Sequence, residues 1–252
     1  MNWKQLISAK RFGMEEFHEE RQENRSEFQR DYDRLIFSAP FRRLQNKTQV
    51  FPLPGSVFVH NRLTHSLEVA SVGRSLGDDV AKALLERHPE LQDSFLPEIG
   101  SIVSAACLAH DLGNPPFGHS GEKAISTFFS EGKGVRLKEK QPNGEQLSPM
   151  EWEDLTHFEG NANAFRILTH QFEGRRKGGF VLTYTTLASI VKYPFSSSLA
   201  GTKSKFGFFV SEEESFQKIA TELGLTLLNE HPLKYARHPL VYLVEAADDI
   251  CY

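Results

Sequence analysis

Cysteine is scarce in this chain, and long hydrophobic runs are missing from its sequence. Its 252 residues include two cysteines, Cys107 and Cys251, and both lie in apolar stretches with helical spacing. Two such thiols argue against a disulfide-stabilised scaffold and favour a reducing compartment. No apolar run approaches the length of a membrane span, and the first residues contain no hydrophobic signal segment. We therefore expect a cytoplasmic protein that has no membrane partner.

The chain also lacks a strong excess of charge of either sign. Its formal net charge is -4 at pH 7, so global charge does not favour binding to nucleic acid or to a membrane surface. Internal repeats are missing as well, and credible strands are few. Apolar residues recur mainly at three- and four-residue spacing, which predicts an all-α fold.

Prolines, glycines and clusters of polar residues separate the predicted helices and mark the loops between them. Helices are expected at about residues 26–45 with an interruption at Pro40, and at about 64–87, 98–112, 120–130, 160–171, 180–192 and 211–223, with a last one beginning near Pro239. Loops are expected at about residues 131–150 and 195–206, and a loop or short ribbon at about residues 51–60. The run Ser211–Glu214 resembles a capping box. Residues 1–25 are expected to form a charged N-terminal arm, either a solvated helix or a mobile segment, ahead of one domain at residues 26–252.

The pair His110-Asp111 is the most informative feature of the sequence. It ends an apolar helical stretch and is followed by Gly-Asn-Pro-Pro, which breaks the helix. Neighbouring side chains diverge along a helix, but at a frayed last turn both can face one cation. The alternative is a buried histidine bonded to a backbone carbonyl beside a solvated aspartate.

Two further candidate ligands flank this pair in the chain. His65 lies near the start of an amphipathic helix, and Asp248 and Asp249 follow an apolar helical stretch at the end of the chain. A buried carboxylate needs a partner or a metal. A mixed set of nitrogen and oxygen ligands suits Mn, Fe, Co, Ni or Zn better than Ca or Mg alone.

Five motifs in order resemble one protein family. They are Pro40–Phe51, Asn61–Ser66, His110–Glu122, His157–Asn163 and Glu245–Tyr252. The order H…HD…D resembles the HD-domain metal-dependent phosphohydrolases, and the longer motifs resemble the bacterial deoxyguanosinetriphosphate triphosphohydrolases. The resemblance covers roughly residues 25–252 and implies an all-α HD-domain helical bundle with long loops.

This resemblance implies a metal-dependent enzyme of dNTP metabolism. The expected reaction cleaves dGTP, with other dNTPs as further candidates, into a deoxynucleoside and inorganic triphosphate. The implied cofactor is one divalent ion (Mn, Mg, Fe, Co, Ni or Zn) held by His65, His110, Asp111 and Asp248. Asp248 is preferred to Asp249 because the family's ligand precedes a substrate-contacting tyrosine by four positions, as Asp248 precedes Tyr252.

The remaining candidate residues belong to proton transfer and to substrate binding. Glu122 is three residues after His119 and can orient its imidazole, so His119 is the expected general acid for the departing 5′ oxygen. The alternative is a histidine at a helix start beside a glutamate favoured by the helix dipole. Cations and polar groups are expected around the triphosphate and sugar. These substrate-binding candidates are Gln45, Arg62, Asn114, His157, Lys192, Tyr193, Lys205 and Tyr252.

Two other classes of function stay open at the level of sequence. Another HD-domain hydrolase, such as a 5′-nucleotidase or an alarmone hydrolase, would use the same ligands, and a non-catalytic module would bind nucleotides or single-stranded DNA. The family also implies a homo-oligomer, commonly a hexamer, and a nucleotide or single-stranded DNA effector. Because Asp248 lies four residues from the end of the sequence, we expect the chain to be an N-terminal fragment.

Overall fold

The computed structural model of the chain describes residues 1–16, 25–48, 61–142, 144–174, 177–201 and 204–252. The predicted all-α fold is confirmed, because the strands in these ranges form only one small two-stranded sheet. The helices are α1 (Trp3–Leu6), α2 (Glu27–Ile36), α3 (Ala39–Arg43), α4 (Arg62–Arg87), α5 (Ile99–Ala109), α6 (His119–Ser130), α7 (Pro149–Thr156), α8 (Gly160–Thr169), α9 (Tyr184–Ile190), α10 (Glu213–Glu222) and α11 (Val241–Cys251). The strands β1 (Leu227–Asn229) and β2 (Lys234–Tyr235) pair antiparallel.

Helix α5 is the centre of the hydrophobic core. Every one of its residues is buried, and it packs against α2, α4, α9 and α11. Small residues allow α4 to approach closely, since a Cβ atom on Gly77 would lie 2.7 Å from the Cα atom of Gly100. The helix that leads to His110 is therefore held rigidly from several sides.

The start of the chain differs from the solvated or mobile arm that its charge predicts. Leu6, Ile7 and Ala9 are buried in the core, and the Arg11 side chain is 2% exposed. The guanidinium of Arg11 pairs with the carboxylates of Glu27 and Asp31. Residues 17–24 of this segment lie outside the described residues.

The predicted helices are present, with differences at their ends. The 26–45 segment is broken where expected, because Ser38 caps α3 and Pro40 occupies its first turn. The predicted capping box at Ser211 is wrong: α10 begins at Glu213 without a side-chain cap, and the Ser211 hydroxyl contacts Arg166 and Glu212 instead.

Two helical elements were missed, one inside the predicted loop at 131–150 and one that begins at its end. Residues Lys133–Lys138 form a 3-10 helix, and α7 begins at Pro149 with a capping box between Ser148 and Glu151. The Ser-Pro-Met-Glu run carries that signal in the sequence. The predicted 51–60 loop lies outside the described residues.

None of the helices in the described ranges combines the length and the apolar character that crossing a bilayer requires.

Candidate metal centre and its surroundings

His65 is placed by the first turn of α4. The Asn61 side chain accepts a hydrogen bond from the Thr64 backbone N–H at 3.0 Å, and the Thr64 hydroxyl lies 3.4 Å from the Asn61 backbone nitrogen. This reciprocal cap fixes where the helix begins. It directs the His65 imidazole, which is 1% exposed, into the interior.

His110 and Asp111 follow directly from the buried end of α5. The helix cannot continue through the Gly-Asn-Pro-Pro run, so it ends at Ala109 and both residues lie in the turn that follows it. The His110 Nδ1 atom is 2.6 Å from the Cys107 carbonyl oxygen. Since a carbonyl only accepts, Nδ1 carries the proton and Nε2 keeps its lone pair for a ligand.

These residues converge on one point. His65, His110 and Asp111, here called the metal group, place one ligand atom each within 4.8 Å of one another, and all three are buried. From α11, Asp248 Oδ1 lies 3.0 Å from His65 Nε2 and 3.5 Å from His110 Nε2. Asp249, the alternative to Asp248, is exposed.

The metal group has the features expected of a metal site. His110 Nε2 is buried and has no hydrogen-bond partner among the residues that the structure describes. It faces two carboxylate oxygens, since Asp111 Oδ1 is 3.6 Å away and Asp248 Oδ1 is 3.5 Å away. Imidazole nitrogens and carboxylate oxygens form a donor set that could hold a divalent ion.

The electrostatics of the group are strongly coupled. Burial opposes a charge on His110, but the Asp111 and Asp248 carboxylates outweigh it and raise the pKa of His110. Burial likewise opposes ionisation of Asp111, yet the charges of His110 and Arg62 lower the pKa of Asp111. Burial is again outweighed at Asp248, where the neighbouring imidazoles of His110 and His65 lower its pKa. Both carboxylates are therefore ionised at neutral pH, as metal ligands must be.

Cations bind the outer oxygens of these carboxylates, and an amide binds the inner oxygen of Asp111. Arg62 Nη1 lies 2.6 Å from Asp111 Oδ2, and Asn114 Nδ2 donates to Asp111 Oδ1 at 2.5 Å. Lys192 Nζ lies 3.2 Å from Asp248 Oδ2. The structure thus places three of the predicted substrate-binding residues against the carboxylates of Asp111 and Asp248.

The predicted proton-transfer pair is also formed. His119 begins α6 after Gly118, whose φ of +54° is rarely adopted by other residues. His119 Nδ1 lies 2.8 Å from Glu122 Oε2. The His119 side chain is 84% exposed, whereas that of Glu122 is 12% exposed. The imidazole therefore presents Nε2 to solvent while Glu122 holds its other nitrogen.

A series of contacts connects this pair to the metal group. The Gly160 backbone N–H donates to Glu122 Oε1 at 2.8 Å. A Cβ atom at position 160 would lie 2.0 Å from Asn114 Oδ1, and Asn114 in turn binds Asp111. Glycine is needed here because the backbone passes between Glu122 and Asn114.

The remaining predicted residues have other partners in the structure. Lys205 pairs with Glu159 at 2.7 Å and with Glu122 at 3.7 Å. His157 contacts Glu153 in the last turn of its own helix. The Tyr193 ring packs against Phe195 and the Arg237 guanidinium.

Two predicted sugar contacts lie on the surface. Gln45 is exposed in the 3-10 turn Leu44–Asn46, and Tyr252 is 98% exposed at the end of α11. Both remain predictions.

Sequence reasoning missed two residues of this region. Lys47 donates to the Leu112 carbonyl at 3.2 Å, and burial together with the positive charge of Arg62 lowers the pKa of Lys47. Glu159 is 1% exposed and caps α8. An acidic residue directly before a predicted helix is the signal that could have identified it.

Comparison with known proteins agrees with this geometry. The HD-domain family model matches residues 62–178. The whole chain is 46% identical to a deoxyguanosinetriphosphate triphosphohydrolase-like protein of Synechocystis sp. and covers 58% of it. It is 47% identical to a protein of that name from Pseudomonas aeruginosa and covers 55% of it. It is 37% identical to a deoxyguanosinetriphosphate triphosphohydrolase of Yersinia enterocolitica and covers 53% of it.

The resemblance predicted from the motifs is therefore confirmed: residues 62–178 match the HD domain, and the whole chain is similar to proteins named as deoxyguanosinetriphosphate triphosphohydrolases or as like them. The chain spans about half the length of the curated relatives it matches.

Proposed function

We propose that this chain carries the catalytic site of a divalent-metal-dependent dNTP triphosphohydrolase, with dGTP as the first candidate substrate. The proposal depends on one observation. The metal group and the His119–Glu122 pair are joined through Gly160 and Asn114. A metal ion that binds phosphate and a residue that donates a proton would therefore belong to one contiguous site. The names of the relatives support the choice of substrate.

In this proposal, His65, His110, Asp111 and Asp248 hold the ion, which supplies Lewis-acid polarisation of a phosphoryl oxygen when bound. Arg62 and Lys192 lie against the outer oxygens of the two aspartates. Their positive charges, with that of Lys47, offset the negative charges of a triphosphate. The cations therefore favour a substrate with several phosphates over a neutral one.

The proton needed by the leaving group comes from His119. Water attacks the α-phosphorus and releases one proton to solvent, the bond from phosphorus to the 5′ oxygen breaks, and His119 Nε2 donates a proton to that oxygen. Glu122 accepts a hydrogen bond from Nδ1–H and stabilises the charged imidazole. The products are a deoxynucleoside and intact triphosphate.

Discrimination against ribonucleotides is assigned to Gln45 and Tyr252. A tyrosine packed beneath the 2′ carbon and an amide beside the 3′ hydroxyl would leave no room for a ribose 2′ hydroxyl. The native ion, the homo-oligomer, the nucleotide or single-stranded DNA effector and the cytoplasmic location stay predictions.

Product analysis tests the reaction. The purified chain is incubated with each dNTP and Mn²⁺, and the products are separated by anion-exchange chromatography. We expect deoxynucleoside and intact triphosphate, with turnover lost in His110→Ala. The matched control is His88→Ala, because His88 is half exposed at the other end of α4 and pairs with Glu90.

Other products would overturn the proposal in distinguishable ways. Release of orthophosphate from nucleoside monophosphates would indicate a 5′-nucleotidase, and release of pyrophosphate from a 3′ position would indicate an alarmone hydrolase. Binding of dNTPs or single-stranded DNA without turnover would indicate a binding module.

A further inference from the structure

Glu159 is a buried carboxylate whose hydrogen bonds reach in two directions. Its Oε2 atom accepts from the backbone N–H groups of Asn161 and Ala162, which begin α8. Its Oε1 atom accepts from Lys205 Nζ at 2.7 Å and from Asn161 Nδ2 at 2.8 Å. One side chain thus fixes the start of a helix and the position of a lysine.

Both of these anchored groups also hold Glu122. Gly160, the first residue of α8, donates its N–H to Glu122 Oε1 at 2.8 Å. Lys205 Nζ lies 3.7 Å from Glu122 Oε2. Each oxygen of the Glu122 carboxylate is therefore bound to a group whose place depends on Glu159.

Glu122 in turn determines the state of His119. A carboxylate can only accept, so the 2.8 Å contact to His119 Nδ1 places a hydrogen on that atom. The neutral imidazole then has its free lone pair on Nε2. If Glu122 moves, this preference disappears, because the His119 side chain is exposed and water can satisfy either nitrogen.

We propose that Glu159 is a positioning residue that holds the His119–Glu122 pair in its working arrangement through Gly160 and Lys205. The catalytic meaning of the pair rests on the proposed function, but the positioning itself does not. Lys205 is in this arrangement a bridge between two carboxylates, which differs from the phosphate-binding role expected of it from the sequence.

Lys205 supports the charge of Glu159 against the effect of burial. Burial raises the pKa of Glu159, although Lys205 counteracts it, and the pKa of Lys205 is raised by Glu159 in spite of burial. Glutamine has the same shape but only one accepting oxygen. It cannot accept from α8 and from Lys205 at the same time.

The test is the tautomer of His119, measured by ¹⁵N NMR of histidine-labelled, metal-free protein at a pH where the imidazole is neutral. In the wild type we expect the Nδ1–H form to predominate. In Glu159→Gln we expect the ratio of the Nδ1–H to the Nε2–H form to fall about tenfold, the effect of losing one charge-assisted hydrogen bond.

Glu153→Gln is the matched control. It makes the same chemical change on the neighbouring helix α7, where Glu153 contacts His157 at 3.2 Å. We expect it to alter the signals of His157 and to leave the tautomer ratio of His119 unchanged. An equal fall in the His119 ratio in both variants would overturn the proposal, because it would indicate a general effect of charge.

Lys205→Met provides a second variant in case Glu159→Gln does not fold. It removes one of the two links to Glu122, so we expect a smaller fall in the same direction. An unchanged His119 ratio in the folded variants would also overturn the proposal. Since this measurement needs neither metal nor substrate, its failure is distinguishable from failure of the proposed reaction.

Discussion

His238 provides the sharpest prediction about stability. It is 1% exposed, and its Nε2 and Nδ1 atoms bind the Leu6 carbonyl oxygen and the Leu240 backbone N–H. Nε2 therefore donates and Nδ1 accepts, which requires a neutral ring. Burial lowers the pKa of His238 to about 4, against about 6.5 in an unfolded chain.

This difference in pKa makes the free energy of unfolding depend on pH. Above about pH 6.5 the stabilisation is fully present, and it is lost as the pH falls toward 4, because the unfolded state takes up the proton first. The full difference of about 2.5 in pKa corresponds to about 3 kcal/mol. Between pH 7.5 and pH 5 we expect a loss of about 2 kcal/mol from this residue.

The assay is urea denaturation of the wild type and of His238→Gln at pH 7.5 and pH 5. Comparison with the variant is needed because other groups titrate in this range; burial raises the pKa of Asp154 to about 6, with the opposite sign. We expect the wild type to lose about 2 kcal/mol more than His238→Gln between the two pH values. Equal losses would refute the reasoning, and His88→Gln, at a half-exposed site, should behave as the wild type does.

Three further predictions concern the metal group and the packing around it. Asp248→Asn should weaken Mn²⁺ binding, measured by calorimetry, about tenfold or more. Asp249→Asn should leave this binding unchanged, because that side chain is exposed. Equal effects of the two variants would contradict the assignment of Asp248 as the ligand. Arg11→Met removes the cation that pairs with two buried carboxylates and leaves Glu27 with the more distant cation of Arg30. It should lower the free energy of unfolding by about 3–5 kcal/mol. Arg25→Met breaks only a surface pair and should cost about 0–1 kcal/mol; similar urea midpoints for the two variants would contradict the buried network. Gly77→Val forces α4 away from α5 and should cost about 1–3 kcal/mol, so unchanged thermal stability would argue against this close approach.

Much of the candidate site follows from local signals. Asparagine at position 61 begins α4, and prolines at positions 115 and 116 end the stretch that carries His110 and Asp111. These signals act over a few residues, so they can be interpreted without knowing the fold. The same reasoning was misleading at Ser211, where contacts with Arg166 and Glu212 replace the expected cap.

Burial of polar residues could not be predicted in the same way. The N-terminal segment has the charge of a solvated arm, yet Arg11 is buried because α2 supplies its carboxylates. In the sequence, Glu159 resembles an ordinary helix cap. Its proposed second role, positioning Glu122, depends on the tertiary structure, which brings Lys205 to Glu159 and Gly160 to Glu122.

The sequence by itself determined the helical periodicity and local helix signals such as Asn61 before α4, because these depend on neighbours along the chain. It also supplied the candidate ligands, through the order of its motifs. The tertiary structure decided which charges are paired and which protons are held. His238 illustrates the reason, since its partner Leu6 is 232 residues away. The pKa of a side chain depends on its burial and on the charges around it, and both are set by segments that meet only when the chain folds.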